Sequence, residues 1–234
     1  MILSMRGISR DMNRNDVGQA VGQDVRTRVL EAAFELLSET GTLKMRDLAE
    51  RAEVAHVTPY NVFGSKRELL AEISRSLIAE SRDKLELHTY RNGLEYLFAA
   101  LDRTSSTLTD DPSFYRALYR EAYGGRDFAL LETVQRPRLD FWNEVLLRCR
   151  EEGIFKASMK TESVTQSLVY LFAGSVSRWI NESIDTTEML AELNVPFLKL
   201  LEWEAFPKWR PFIEDRIRYW SNLLPAEPSP EVVE

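Results

Sequence analysis

Residues 42–67 bring together hydrogen-bonding and basic side chains in a chain whose overall net charge is −7. Thr58, Tyr60 and Asn61 offer hydroxyl and amide groups, and the stretch holds 5 basic against 3 acidic residues. An asparagine can pair with an adenine edge through two hydrogen bonds, and hydroxyl and cationic groups can hold phosphates. These residue types favour contact with DNA, in which shape and hydrogen bonds contribute more than charge.

The apolar residues of the same stretch predict two short helices, at about 45–52 and 56–63, joined by a turn at 53–55. Such a pair places one helix across the DNA backbone and the other in the major groove. A helix at about 25–39 precedes the pair. Ser65 and Glu68 then form an S-x-x-E capping box, which predicts the start of a long fourth helix.

The rest of the chain repeats the helical signal, with apolar residues at three- and four-residue spacing. These patterns predict helices that begin near residues 92, 112, 127, 161 and 185, and a last helix preceded by Pro207 and Pro211. Asp111, Asp127 and Asp185 are the expected N-caps. Pro137 is expected to kink or divide its helix, and Pro196 to strain another. Because the sequence shows no alternating strand pattern and no hairpin turn, we predict an all-α fold.

The sequence carries no motif of catalysis or metal binding. His56, His88 and the single Cys149 cannot assemble a conventional zinc site, and phosphate-loop and serine-hydrolase motifs do not occur. We predict no catalytic residue, no metal and no cofactor, and assign Cys149 to helix packing. The sequence shows no secretory signal, and its longest uncharged stretch, at 163–177, is too short to span a membrane. The chain is therefore expected to be cytoplasmic and to have no membrane partner.

The predicted helix pair and its flanks resemble the amino-terminal helix-turn-helix of the TetR family of bacterial transcriptional regulators. The similarity covers about residues 25–73 and is most specific in two runs, Leu48-Ala49-x-x-Ala52-x-Val54 and Thr58-x-Tyr60-x-x-Phe63-x-Ser65-Lys66-x-x-Leu69. Beyond these residues only the number and order of the helices correspond. The resemblance implies a three-helix head that a long helix joins to a larger helical domain for ligand binding and dimerisation.

On this basis we expect four segments along the chain. These are a disordered tail at 1–23, a helix-turn-helix DNA-binding domain at 24–70, a ligand-binding and dimerisation domain at 71–224, and a second disordered tail at 225–234. The tails are polar or rich in proline and glutamate, so they bury too little apolar surface to offset the entropy of ordering.

The resemblance also implies roles for single side chains of the head. Tyr60 and Lys66 would hold DNA phosphates, and Thr58 would lie at the backbone or at a base edge. The other members of the predicted DNA-binding set are the base readers His56, Val57 and Asn61 and the bordering cations Lys44 and Arg46. From the residues alone, Tyr60 is also compatible with a core position, and His56 with a loop or cap position.

Three residues depart from the family pattern. Glu53 stands where relatives often have a turn glycine, and a left-handed conformation there costs roughly 1 kcal/mol. Lys44 replaces the usual threonine cap, and its charge opposes the helix dipole unless a phosphate lies close by. Thr58 followed by Pro59 has the pattern of an N-cap and first-turn proline, which predicts a later start of the reading helix.

The second half of the chain is rich in aromatic residues, most of which a helical fold uses as core. Some are expected to line a cleft for an apolar or aromatic ligand. The predicted cleft walls are Phe98, Tyr115, Tyr119, Phe141 and Trp142. Arg103 or Arg178 is a candidate for the polar end of the ligand, with surface ion pairs as the alternative for both.

The small pair Ala173 and Gly174 permits a close helix contact, and we predict a dimer interface from helices at about 161–184 and 187–203. Together these features predict a homodimeric transcriptional repressor on the bacterial nucleoid, released from a palindromic operator by a small effector. An activator role, or the same head with a protein-interaction domain, is the alternative. An all-helical enzyme is a more distant one.

Overall fold

The structure, a computed structural model, describes residues 14–123, 128–181 and 183–225. Within these ranges it contains ten helices, and its one β-type contact is an isolated bridge between Phe155 and Ala205. The prediction of an all-α fold is confirmed. The helices are α1 (Arg14–Thr40), α2 (Met45–Arg51), α3 (Thr58–Phe63), α4 (Lys66–Glu86), α5 (Gly93–Asp110), α6 (Pro112–Tyr123), α7 (Phe128–Glu151), α8 (Thr161–Ile180), α9 (Thr186–Glu204) and α10 (Arg210–Ser221).

Three of the predicted helix caps form as the sequence indicates. In each case the side-chain oxygen accepts a hydrogen bond from the backbone N–H three residues later, at 3.2 Å for Ser65, 3.0 Å for Asp111 and 2.8 Å for Asp185. These bonds satisfy backbone donors that the first turn of a helix leaves without a partner. The fourth predicted cap, Asp127, lies outside the described residues.

Two boundaries differ from the sequence prediction. Helix α1 begins at Arg14 and not near residue 25, so the predicted tail at 1–23 overlaps its first turns, while residues 1–13 and 226–234 lie outside the described residues. Helix α7 continues through Pro137, so the alternative that this proline divides the helix is wrong. Packing along α4 supports the turn before the proline, where the Val134 carbonyl accepts a hydrogen bond from Ser74 Oγ at 3.0 Å.

Helices α1 to α3 and the start of α4 form a head around one apolar core. Leu37, Leu48, Phe63 and Leu69 are buried there, one from each of the four helices. Arg26 of α1 fixes the end of α3, because its guanidinium lies 4.6 Å from the centre of the Phe63 ring and donates to the Val62 carbonyl. Helix α1 therefore fixes the position of the short α3 in the head.

The remaining helices form the body. Helix α4 packs along α7, α8 packs along α9, and α10 closes against α9. Helix α6 contacts both the body and α1, where Phe34 and Phe114 stack with ring centres 5.4 Å apart. In the part of the chain that the structure describes, no helix is long and apolar enough to cross a membrane.

Cys149 lies at a close approach of α5 and α7, as the packing assignment predicts. Its Sγ is fully buried and donates to the Gly93 carbonyl at 3.1 Å. A Cβ atom on Gly93 would lie only 3.2 Å from the Cys149 Cα, so a glycine permits this contact.

We expect the Cys149 thiol to be inert in the native state and to make the fold sensitive to alkali. Burial raises the pKa of this thiol to about 12. The folded state thus retains a proton that the unfolded chain releases near pH 9, so this contribution to stability is complete below about pH 9 and is lost as pH rises toward 12. A thiol reagent at pH 8 should label the unfolded protein only. Rapid labelling of the native protein would contradict the burial, and Cys149→Ala should remove the reaction altogether.

Candidate DNA-binding surface and ligand cavity

The turn between α2 and α3 has the backbone geometry that the sequence predicts at Glu53, where relatives often have a glycine. Glu53 takes a left-handed conformation with φ of 54°, as expected for the position of a turn glycine. Helix α3 begins at Thr58, and its N-cap is Val57. The interpretation of Thr58 as the N-cap is therefore wrong, because the helical bonding already begins one residue earlier, where the Val57 carbonyl accepts the Asn61 N–H at 3.0 Å.

Helix α3 presents a polar outer face. Val57 is 58% exposed and Tyr60 49% exposed, and His56 and Asn61 are also exposed. The opposite side, with Pro59 and Phe63, is buried in the head. Tyr60 is thus not a core aromatic, and four of the predicted contact residues lie on one solvent-facing surface. Thr58, at the start of the helix, is half-buried.

The three predicted cations occupy different environments. Lys44 is exposed and precedes α2 without a side-chain cap. Arg46 is exposed and lies 3.4 Å from Glu50 on the same helix, an ion pair of little energetic weight at the surface. Lys66, at the start of α4, is half-buried, and its Nζ lies 2.6 Å from Glu121 Oε2. In this conformation the ammonium group of Lys66 is paired with a carboxylate of the same chain.

Glu121 of α6 joins the head to the body. One carboxylate oxygen binds Lys66, and the other accepts the backbone N–H of Leu43 at 2.8 Å. The same side chain therefore holds Leu43, two residues before α2, and the start of α4 against the end of α6. Glu121 could not be predicted from the sequence, because its two partners lie 55 and 78 positions away along the chain.

Replacing Glu121 by glutamine is expected to tighten binding to DNA. The amide can still accept the Leu43 N–H, whereas Lys66 loses its ionic partner and becomes available to a phosphate. Because a pair of this exposure is worth at most about 1 kcal/mol, we expect an affinity gain of up to about fivefold. The logarithm of the binding constant should also fall more steeply with salt, by about one unit of slope.

Titrations of operator DNA at several salt concentrations measure both quantities. Glu31→Gln is the matched control, since Glu31 is an exposed carboxylate on α1 and the substitution changes the net charge equally. An unchanged salt slope for Glu121→Gln would show that Lys66 has no competing role at DNA.

A narrow internal cavity of about 60 Å³ lies between α4, α5, α6 and α7. This volume holds only a few water molecules. Four of the five aromatic residues predicted as cleft walls line it, namely Tyr115, Tyr119, Phe141 and Trp142. Phe98 is not among its walls, because its ring faces Arg216 of α10, with the guanidinium 4.9 Å from the ring centre. Phe98 is therefore removed from the predicted set.

The two cationic groups of the cavity come from α5 and α7. Arg103 lines it, and its Nε is buried without a hydrogen-bond partner. Arg138 also lines it, and its Nη2 donates to the Tyr119 hydroxyl at 2.9 Å. Burial raises the pKa of Tyr115 and of Tyr119, so both hydroxyls remain protonated at neutral pH. Arg178, the other sequence candidate, is instead paired with Glu192 on α9.

A second surface feature is a shallow groove on the outer side of α8 and α9. Gly174 lies in it and is exposed, and Ala173 beside it is half-buried. Trp203 is 74% exposed at the same groove, and Tyr170 and Leu200 are exposed with it. Apolar side chains gathered on one face in this way mark a surface that another molecule covers.

The fold consists of a head with a helix-turn-helix arrangement and a helical body. The comparison with known protein families matches part of the head. Residues 29–73 match the profile described as bacterial regulatory proteins, tetR family. Residues 29–73 are therefore similar to a TetR-family DNA-binding domain. No curated protein sequence matches the chain. Among the described residues, no group of three or more His, Cys, Asp or Glu side chains is arranged to hold a metal ion.

Solved structures of several other proteins share the fold. Thermus thermophilus FadR, a repressor in complex with lauroyl-CoA, has a TM-score of 0.59 at 18% identity, over 89% of this chain and 100% of that one. RolR in complex with resorcinol has a TM-score of 0.62 at 15% identity, over 89% and 98%. FadR from Bacillus halodurans has a TM-score of 0.55 at 19% identity, over 76% and 94%.

Proposed function

We propose that the protein is a homodimeric transcriptional repressor that a small, largely apolar or aromatic effector releases from a palindromic operator. The observation that carries this proposal is the position of α6. Its inner face lines the cavity with Tyr115 and Tyr119, and its end holds the head through Glu121. One helix is therefore in contact with both the cavity and the DNA-binding domain.

This arrangement supports a mechanism of release. Any effector larger than the cavity of about 60 Å³ must move the walls, and these include α4 and α6. Both helices contact the head, so binding is expected to change the separation of the two heads in the dimer. A coupling of 1–3 kcal/mol between effector and DNA would lower operator affinity roughly 5- to 150-fold.

The exposed face of α3 supplies the proposed DNA contacts. Asn61, Val57 and His56 are proposed to read bases, while Tyr60, Thr58 and the flanking cations Lys44, Arg46 and Lys66 are proposed to hold the backbone. In a symmetric dimer the two α3 helices would enter successive major grooves about one turn of DNA apart. Residues 24–70 are proposed to bind DNA, and residues 71–224 to bind the effector and the partner subunit. The protein is proposed to act in the bacterial cytoplasm.

The groove on α8 and α9 supports the homodimer. A twofold axis through Gly174 would pack these helices against their copies as a four-helix bundle, with Trp203 and Tyr170 covered by the partner. The small residues Ala173 and Gly174 would allow the close approach at its centre.

Protection of DNA around the gene that encodes the protein is the direct test. We expect a footprint over a palindrome, reduced transcription from the adjacent promoter in vitro, and loss of the footprint with a small aromatic compound that raises the melting temperature. Transcription that rises on binding would favour the activator alternative. Protein that protects no palindrome in a selection from genomic fragments would overturn the proposal.

A further inference from the structure

We propose that the effector is an aromatic carboxylate, held in the cavity of α4 to α7 by the guanidinium groups of Arg138 and Arg103. This inference rests on the proposed function and specifies the chemistry of its ligand. The side chain of Arg138 is buried, with only 8% of the residue's surface exposed.

Arg138 is a buried cation without a carboxylate partner. Its described hydrogen bonds go to the hydroxyls of Tyr119 and Tyr123, at 2.9 and 3.5 Å. Burial raises the pKa of the Tyr119 hydroxyl, so its hydrogen bond does not neutralise the charge of the guanidinium. Among the residues whose side chains the structure describes, no carboxylate lies within ion-pair distance of Arg138.

Two carboxylates on the helices around the cavity are already engaged elsewhere. Glu80 of α4 pairs with Lys84, and Asp140 of α7 pairs with Arg136 on the outer side of the same helix. An arginine is protonated at any physiological pH, so the cavity keeps a positive charge. The Phe172 ring, whose centre lies 4.0 Å from the guanidinium carbon, and the two hydroxyls offset only part of the cost of burying this charge, so an ion of opposite sign would lower that cost further.

Arg103 adds a second cationic group from another wall. It lies on α5, and its buried Nε has no hydrogen-bond partner, so at least one donor is available to a ligand. An acid between Arg103 and Arg138 would connect α5 to α7. A planar guanidinium binds a carboxylate with two parallel hydrogen bonds, which makes a carboxylate the fitting head group.

The rest of the cavity selects the body of the ligand. Phe141 and Trp142 come from α7, Tyr115 comes from α6, and Leu77 and Ile78 come from α4. Such walls favour a compact ring over a polar or a long flexible molecule. The volume of about 60 Å³ also requires the walls to separate when a ring enters, which is the movement that the proposed release needs.

Isothermal titration with benzoate and its uncharged analogue benzamide tests the charge requirement. We expect the full-length protein to bind benzoate, or a larger member of a panel of aryl carboxylates, at least about tenfold more tightly than the matching amide. Arg138→Met should abolish this preference. Arg136→Met is the control, because Arg136 lies two residues earlier on α7 with 73% of its side chain exposed, and it should bind like the wild type.

A second readout needs no ligand. Removing a buried cation without a counter-ion is expected to raise the melting temperature of the ligand-free protein by a few degrees in Arg138→Met, but not in Arg136→Met. Equal affinity for acids and amides, or no binding of any acid in the panel, would overturn the inference. Two separate measurements decide the proposed function. The first is whether the ligand-free protein binds operator DNA, and the second is whether an uncharged aromatic compound releases the protein from that DNA.

Discussion

Val57→Asp is expected to abolish specific binding to the operator. Val57 is the N-cap of α3 and lies at the centre of the exposed face that carries His56, Tyr60 and Asn61. A carboxylate at this position would meet base edges and phosphates of like charge, which costs several kcal/mol, and a dimer contains two copies. We expect the specific affinity to fall by about 10³-fold or more, to the level of non-specific binding.

The substitution separates DNA binding from folding. Aspartate is among the preferred N-cap residues, and its charge is favourable at a helix N-terminus. The melting temperature should thus stay the same or rise. Leu87→Asp is the matched control, since Leu87 is 81% exposed beyond the far end of α4 and acquires the same charge. Gel-shift titrations measure both variants. Val57→Asp protein that binds the operator within threefold of the wild type would show that α3 is not the reading helix.

The sequence predicted the head more completely than the body because its signals are local. The S-x-x-E box at Ser65 and the departure at Glu53 each involve residues a few positions apart, and both appear in the structure. The same holds for the outer face of α3, whose polar residues alternate with the buried Pro59 and Phe63. Local hydrogen bonds and helical periodicity are properties that neighbouring residues fix among themselves.

The polar groups of the body were harder to predict. Arg138 occupies the same helical face as Val134, Phe141 and Val145, which are all buried. A charged residue among apolar residues at helical spacing was the sequence feature that could have identified it as a buried polar group. From the sequence, Arg103 or Arg178 was a candidate for the polar end of a ligand, with a surface position or an ion pair as the alternative for each. Arg178 proved to pair with Glu192, which only the contact between α8 and α9 reveals. Long-range contacts of this kind depend on helix packing that no local pattern specifies.

Gly174→Arg is expected to convert the dimer into monomers and so to remove most of its affinity for the operator. A Cβ atom added to Gly174 meets no other atom within 4 Å in the protomer, so a long side chain is accommodated by an isolated chain. Replacing a helical glycine also raises helix propensity by close to 1 kcal/mol, which should leave the protomer folded.

At a twofold interface centred on Gly174, the two new arginines would face each other and prevent the close approach of α8 and α9. Like charges in contact cost several kcal/mol, so we expect the dimer to weaken by at least about 100-fold. A single head then binds only one half-site, and the affinity for a full palindrome should fall by a similar factor.

Analytical ultracentrifugation over a range of protein concentrations, together with gel-shift titration, tests this expectation. Ser106→Arg is the matched control, because Ser106 is an exposed small residue on α5, away from the groove, and gains the same side chain. A Gly174→Arg protein that remains dimeric would place the interface elsewhere. A wild-type protein that is monomeric at high concentration would leave Trp203 and Tyr170 for a different protein partner, as the alternative with a protein-interaction domain requires.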